Sequence, residues 1–96
     1  MDTIRDEYFI ALSDHLHKLL AVKGIEVSEL AAASNLDRRQ IYRLLNKENV
    51  PKLSTLVRIS LAAGIEPKEL FDFKFDFGTY MKDNGLLKIG KKKKDN

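Results

Sequence analysis

The fold is decided by residues 30–45, LAAASNLDRRQIYRLL, where apolar side chains recur at helical spacing on either side of a short break. Asn35 lies at the break, and asparagine follows glycine as the residue that most readily adopts the left-handed backbone of a tight turn. Asp37 comes two residues later and is a favoured N-cap for a new helix. Ala31 is small, so two helix axes can approach closely there. The stretch therefore predicts two short helices that meet at an angle across a turn.

The same periodicity, read outward, predicts a bundle of five helices. Gly24 and Gly64 are expected to end the first and the fourth, because glycine accepts a left-handed backbone without strain. Thr3 is expected to cap the first, and Pro67 suits the first position of the fifth. The predicted ranges are Ile4–Lys23, Val27–Ser34, Arg38–Asn46, Leu53–Ala63 and Pro67–Phe71, and the apolar face predicted for the fourth helix consists of Leu53, Leu56, Val57 and Leu61. Connections of a few residues predict a compact all-α fold.

Composition excludes several classes of protein. The chain has 96 residues, enough for one domain, and it has no cysteine, so disulfides and thiolate metal sites are excluded. His15 and His17 lie two apart on a helix and face different directions, so a metal site is not expected. No nucleophile–base set, carboxylate pair or glycine-rich phosphate loop occurs at usable spacing, so neither an enzyme nor a cofactor is expected. The acidic N-terminus and the lack of a long apolar run predict a cytoplasmic location.

Positive charge is concentrated in one part of the chain. The net charge is only +3, but residues 38–58 hold six cations against the single acid Glu48, whereas several acids lie in the first helix. Such a separation is typical of a face that binds a polyanion. The six cations are Arg38, Arg39, Arg43, Lys47, Lys52 and Arg58.

The start of the third helix has the side chains that could read DNA bases. Arg38, Arg39, Tyr42 and Arg43 are the positions expected to project from the body of the protein. An arginine fork matches the O6 and N7 acceptors of guanine in the major groove. Arginine in a first turn also opposes the helix dipole, so folding alone does not favour it there. The alternative is a solvated surface, and for Tyr42 base stacking, a phosphate contact and plain surface all stay open.

The chain resembles the Cro/repressor-type, or XRE-like, helix-turn-helix proteins. The residues that carry the resemblance are Lys23-Gly24-Ile25, Ser28-Glu29-Leu30-Ala31, Asn35 to Leu44, Pro51, Thr55-Leu56, Leu61 to Ile65 and Glu69-Leu70-Phe71. The resemblance implies a lambda-repressor-like DNA-binding domain at residues 4–73 and a transcriptional regulator that binds a palindromic operator in double-stranded DNA as a homodimer. It places the three arginines at base-reading positions. The expected phosphate contacts are Gln40, Asn46, Lys47 and Lys52.

Several positions depart from the pattern of this family. Val27 stands where relatives often have a phosphate-contacting glutamine, and Lys47 stands where many have glycine. Lys52 occupies the usual cap position of helix 4. Many relatives bury an arginine of helix 1 against a glutamate of helix 3, and here both positions are leucine, Leu20 and Leu45. Replacing a whole buried ion pair by apolar residues is often neutral or stabilising, so the joint change is consistent with the resemblance.

Residues 74–96 are expected to form a C-terminal extension. The segment Asp72–Phe77 alternates polar and aromatic residues, which predicts a half-buried strand, and Asp83-Asn84-Gly85 predicts a hairpin turn before a returning strand at Leu86–Ile89. Phe73, Phe75 and Phe77 are interpreted as core or dimerisation contacts. Lys91–Lys94 is expected to be a disordered tail, either merely solvated or attracted to phosphates. A second hypothesis from another class is an antitoxin or protein-interaction module whose aromatic strand binds a toxin or other protein partner.

Overall fold

The structure, a computed structural model, describes residues 6–90 and is all-α. Within that part the chain forms six helices: α1 Glu7–Lys23, α2 Val27–Ser34, α3 Arg38–Leu45, α4 Leu53–Ala62, α5 Pro67–Leu70 and α6 Phe77–Asp83. The five predicted helices of the bundle are confirmed. No helix among these six is both long and apolar enough to cross a membrane.

The first helix begins later than predicted. Asp6 has an extended backbone, and its Oδ1 accepts a hydrogen bond from the Phe9 amide at 2.9 Å, so Asp6 is the N-cap and Glu7 the first helical residue. The prediction of a start at Ile4 was therefore wrong, because an equally good cap lies further along the chain. Thr3, the predicted cap, lies outside the described residues.

One apolar core joins the first five helices. Its least exposed side chains are Leu16, Leu30, Ile41, Leu44, Ile59, Ile65 and Leu70. Leu20 and Leu45 are both buried in the same cluster, and α1 packs against α3. Leu20 and Leu45 are thus both core residues, at the two positions where the resemblance described above implies an ion pair in many relatives.

Turn residues end the helices where the sequence predicted. Gly24 follows α1 with φ 66°, Asn35 follows α2 with φ 57°, and Gly64 follows the last turn of α4 with φ 73°. All three backbones are left-handed, a conformation that commonly follows the end of a helix. The chain therefore turns between α2 and α3 at a left-handed Asn35.

The buried face of α4 differs from the predicted one. Leu53 and Leu61 are 69% and 62% exposed, whereas Ile59 is fully buried. Leu53 opens the helix at the edge of the core, and Leu61 points away from the buried row that includes Ile59 and Ser60. Ser60 can occupy a buried position because its hydroxyl donates to the Ile65 carbonyl.

The aromatic segment is not a strand. In residues 72–90, as in the rest of the described chain, the structure contains no strand, and Asp76 caps α6 by accepting a hydrogen bond from the Thr79 amide at 3.0 Å. Gly85, with φ 67°, lies in the C-terminal turn of that helix, where the Leu86 amide donates to the Met81 carbonyl at 2.8 Å. Asn84-Gly85 therefore ends a helix and does not form a hairpin, and Leu86–Ile89 is not a strand. The predicted tail Lys91–Lys94 lies outside the described residues.

Alternating aromatic residues serve a different purpose here. The rings of Phe73, Phe75 and Phe77 lie with their centroids 5.3, 4.9 and 5.7 Å from that of Tyr8 on α1. A chain that wraps around a single ring gives the same period of two as a strand on a sheet. We call Tyr8, Phe73, Phe75, Phe77 and Tyr80 the aromatic cluster; it attaches the extension to α1.

Candidate nucleic-acid interface

The first turn of α3 is built by a reciprocal cap. Asp37 Oδ1 accepts from the Arg39 amide at 2.9 Å, and Gln40 Oε1 accepts from the Asp37 amide at 3.2 Å. These bonds satisfy amide groups that have no partner within the helix. The start of α3 is thereby fixed to the turn at Asn35.

Burial divides α3 into two faces. Ile41, Leu44 and Leu45 are buried against the core. On the other face the predicted base-contacting residues, Arg38, Arg39, Tyr42 and Arg43, are all exposed. Among the described residues the salt bridges are Lys47–Asp14 and Lys68–Glu66, and neither engages an arginine. The helix therefore presents three guanidinium groups and a phenol on one solvent-facing side.

The last turn of α3 is held by α1. Ser13 Oγ donates to the carbonyl oxygens of Leu44 and Leu45 at 3.1 and 3.3 Å, and His17 Nε2 lies 2.9 Å from the Leu45 oxygen, to which it donates when protonated there. The final carbonyls of a helix lack intrahelical partners, so these bonds fix the end of α3 as the cap fixes its start. Sequence reasoning missed both side chains. Their signal was a serine and a histidine four residues apart, on the side of α1 that carries the apolar stripe.

His15 has a comparable bond elsewhere. Its Nε2 lies 2.9 Å from the Glu69 carbonyl oxygen at the end of α5, and its ring is 5.0 Å from that of Phe73. The two histidines of α1 thus contact different helices. In the described part of the chain, His, Asp and Glu side chains form no group that could hold a metal ion.

The residues predicted to contact phosphates occupy two places. Gln40 and Lys52 line one open groove between the turn after α2, the start of α3 and the start of α4. Lys47 lies elsewhere, with its Nζ 2.8 Å from Asp14 Oδ1 on α1. Asn46 is the exposed C-cap of α3, next to Lys47 in the chain, and it does not line the groove.

Arg58 is a further cation of the groove. It is exposed on α4 and lines the groove together with Gln40 and Lys52. Sequence reasoning counted Arg58 among the clustered cations but did not assign it to the site. Only the packing of α4 against α2 shows that it shares a surface with the start of α3.

The extension is joined to α1 by one polar contact as well as by its rings. Tyr80 Oη donates to Asp6 Oδ2 at 2.7 Å. This hydrogen bond, with the bond from the Phe9 amide, lowers the pKa of Asp6, and the same bond to the carboxylate raises the pKa of Tyr80. The three phenylalanines predicted as dimerisation contacts pack against Tyr8 on α1 of their own chain, although Phe77 stays 56% exposed.

A capped, cation-bearing second helix in a helix-turn-helix defines a class of DNA-binding domain. The Cro/C1-type HTH DNA-binding domain matches residues 15–76, and the chain belongs to this family. Its fold is similar to that of the restriction-modification controller protein C.AhdI from Aeromonas hydrophila, with a TM-score of 0.62 and 28% sequence identity. That similarity covers 66% of this chain and 96% of the other. A comparison with curated proteins finds no match. The family and this neighbour support a DNA-binding regulator of transcription.

Proposed function

We propose that the protein is a sequence-specific transcriptional regulator that binds a palindromic operator as a homodimer and needs no cofactor. The observation that carries the proposal is the capped α3, whose exposed face holds Arg38, Arg39 and Arg43 unpaired by any described carboxylate. The DNA-binding unit would be residues 4–73, and residues 74–96 an extension. A protein of this kind acts on the nucleoid, in the cytoplasm.

The arginines would read the major groove. A helix whose backbone is fixed at both ends loses little further backbone freedom when it enters DNA, so the ordering cost is mainly that of the arginine side chains. Each arginine fork can donate two hydrogen bonds to one guanine. Tyr42, 47% exposed beside them, would contact a base or a phosphate.

The groove beside α3 would hold the DNA backbone. Lys52 and Arg58 supply charge there, and Gln40 still has its amide –NH₂ to donate, because only its oxygen is used in the cap. Asn46 would add a neutral donor at the far end of α3. Phosphate contacts set position and affinity, whereas base contacts set the sequence preference.

Homodimer formation would use the extension. Phe73 and Phe75 are partly covered by Tyr8, but Phe77 and Leu87 are 56% and 92% exposed. Such apolar surface is typical of a site of association. We therefore propose that the phenylalanines act together: two shape the surface through the aromatic cluster, and Phe77 contacts the second chain.

The mechanism would be occupancy of an operator. The structural neighbour is a restriction-modification controller protein, and by this similarity we propose that the present protein controls the expression of particular genes. Occupancy would block the polymerase or recruit it, depending on where the operator lies relative to the promoter.

Selection of bound duplexes from random DNA, followed by sequencing, tests the proposal. The wild-type protein is expected to enrich an inverted repeat. Arg39→Ala should weaken binding by about 1–3 kcal/mol and relax the preference at one or two base pairs, whereas Lys52→Ala should weaken all duplexes alike. Lys68→Ala, which removes an exposed cation of α5, is the control. Weak binding without any enriched sequence would contradict the proposal and favour the hypothesis of a protein-interaction module.

A further inference from the structure

The ion pair between Lys47 and Asp14 joins the end of α3 to α1. The two side chains meet at 2.8 Å, with the lysine 25% and the aspartate 56% exposed. The lysine stem therefore lies along the protein surface, and its charged end reaches a carboxylate still open to water.

Backbone geometry places this lysine firmly. Lys47 has φ 59°, in the left-handed region that lysine adopts at a cost, and its amide donates to the Leu44 carbonyl at 3.1 Å. The backbone that carries Asp14 is held close to the end of α3, because Ser13 beside it and His17 nearly one turn later are both bonded to the last carbonyls of α3. The pair is thus built into the contact between α1 and the DNA-reading helix.

We propose that Asp14 is an electrostatic brake on DNA binding, acting through Lys47. This inference rests on the proposed function. While Lys47 stays with Asp14, it neutralises no phosphate. If Lys47 moved to a phosphate, the uncompensated carboxylate would remain beside a polyanion. In both arrangements Asp14 removes the benefit of one positive charge at the end of α3.

The effect of Asp14 on DNA binding can be changed without unfolding the protein. An ion pair between groups that are partly open to water contributes little to stability, so Asp14 can be neutralised without loss of the fold. Phosphate contacts carry no direct sequence information. The brake would therefore set the affinity and its salt dependence, and it would leave the choice of sequence to the arginines.

The test is a double-mutant cycle with Asp14→Asn and Lys47→Asn, measured on the selected operator across a salt series. Asparagine tolerates the left-handed backbone at position 47 better than most residues, so the second variant keeps the turn. Asp14→Asn should bind more tightly, and its slope of log affinity against log salt should be steeper by about 0.9, the value for one more phosphate neutralised. The ratio of its affinity to that of the wild type should accordingly shrink about three- to fourfold between roughly 50 and 200 mM salt.

The Lys47→Asn background decides whether the lysine is the agent. There, adding Asp14→Asn should leave the salt slope unchanged, because no cation is released. Asp72→Asn, the same charge change beyond α5, is the control and should not alter the slope. Parallel slopes for the wild type and Asp14→Asn, or a steeper slope that persists without Lys47, would overturn the proposal. A wild-type protein that selects no operator would instead contradict the proposed function, and the two failures are thereby distinguished.

Discussion

Replacing Leu45 by glutamate tests how the core accommodates the end of α3. Leu45 is 6% exposed, and its side chain belongs to the cluster that contains Leu20, itself 5% exposed. A carboxylate at position 45 would be buried among apolar side chains, with no cation beside it in the described part of the chain. A buried charge without a partner costs about 3–5 kcal/mol, so Leu45→Glu should lower the free energy of unfolding by that amount.

The compensating change is Leu20→Arg. If positions 20 and 45 adjoin, the double variant should recover part of the loss, because the guanidinium would pair with the new carboxylate. Denaturant melts of the two single variants and of the double variant give the coupling energy. A Leu45→Glu protein as stable as the parent would refute the burial, and strictly additive losses would refute the proximity of the two side chains.

Two further predictions concern the extension. The bond from Tyr80 lowers the pKa of Asp6, so the ionised carboxylate stabilises the fold above the ordinary aspartate pKa and loses this effect as the pH falls through its lowered pKa. The melting temperature of Tyr80→Phe should therefore lie below that of the wild type at about pH 7 and approach it as the pH falls to about 3. A difference that stays constant over this range would contradict the prediction. Phe77→Ser should sediment as a monomer while keeping its helical signal, with Val22→Ser as the control at another exposed apolar side chain, 86% exposed; a persistent dimer would move the interface elsewhere.

The part of the fold that depends on neighbouring residues was predictable from the sequence. Asn35 had to turn the chain and Asp37 had to cap α3, because each residue acts on backbone groups within three positions of itself. The exposed side of α3 followed from the same periodicity that buries Ile41. These local rules identified the surface that carries the arginines.

Contacts between distant residues were not predictable in the same way. The phenylalanines after α5 follow a period of two, and only the position of Tyr8 decides that they surround a ring and do not line a sheet. Ser13 lies 31 residues from Leu44, so the sequence can place the serine on the apolar side of α1 but cannot identify the carbonyl to which it donates.

The carboxylates of α1 contribute to the low net charge of +3, but two of them have partners within the chain. Asp6 caps the helix and accepts from Tyr80, and Asp14 accepts from Lys47, so two of its carboxylates are engaged by groups of the same chain. The exposed arginines of α3 have no such partner in the described part of the chain. Local pairing therefore determines which charges are available to DNA: a nearly neutral protein can present a strongly cationic helix, provided that its acids are bound to structural partners elsewhere.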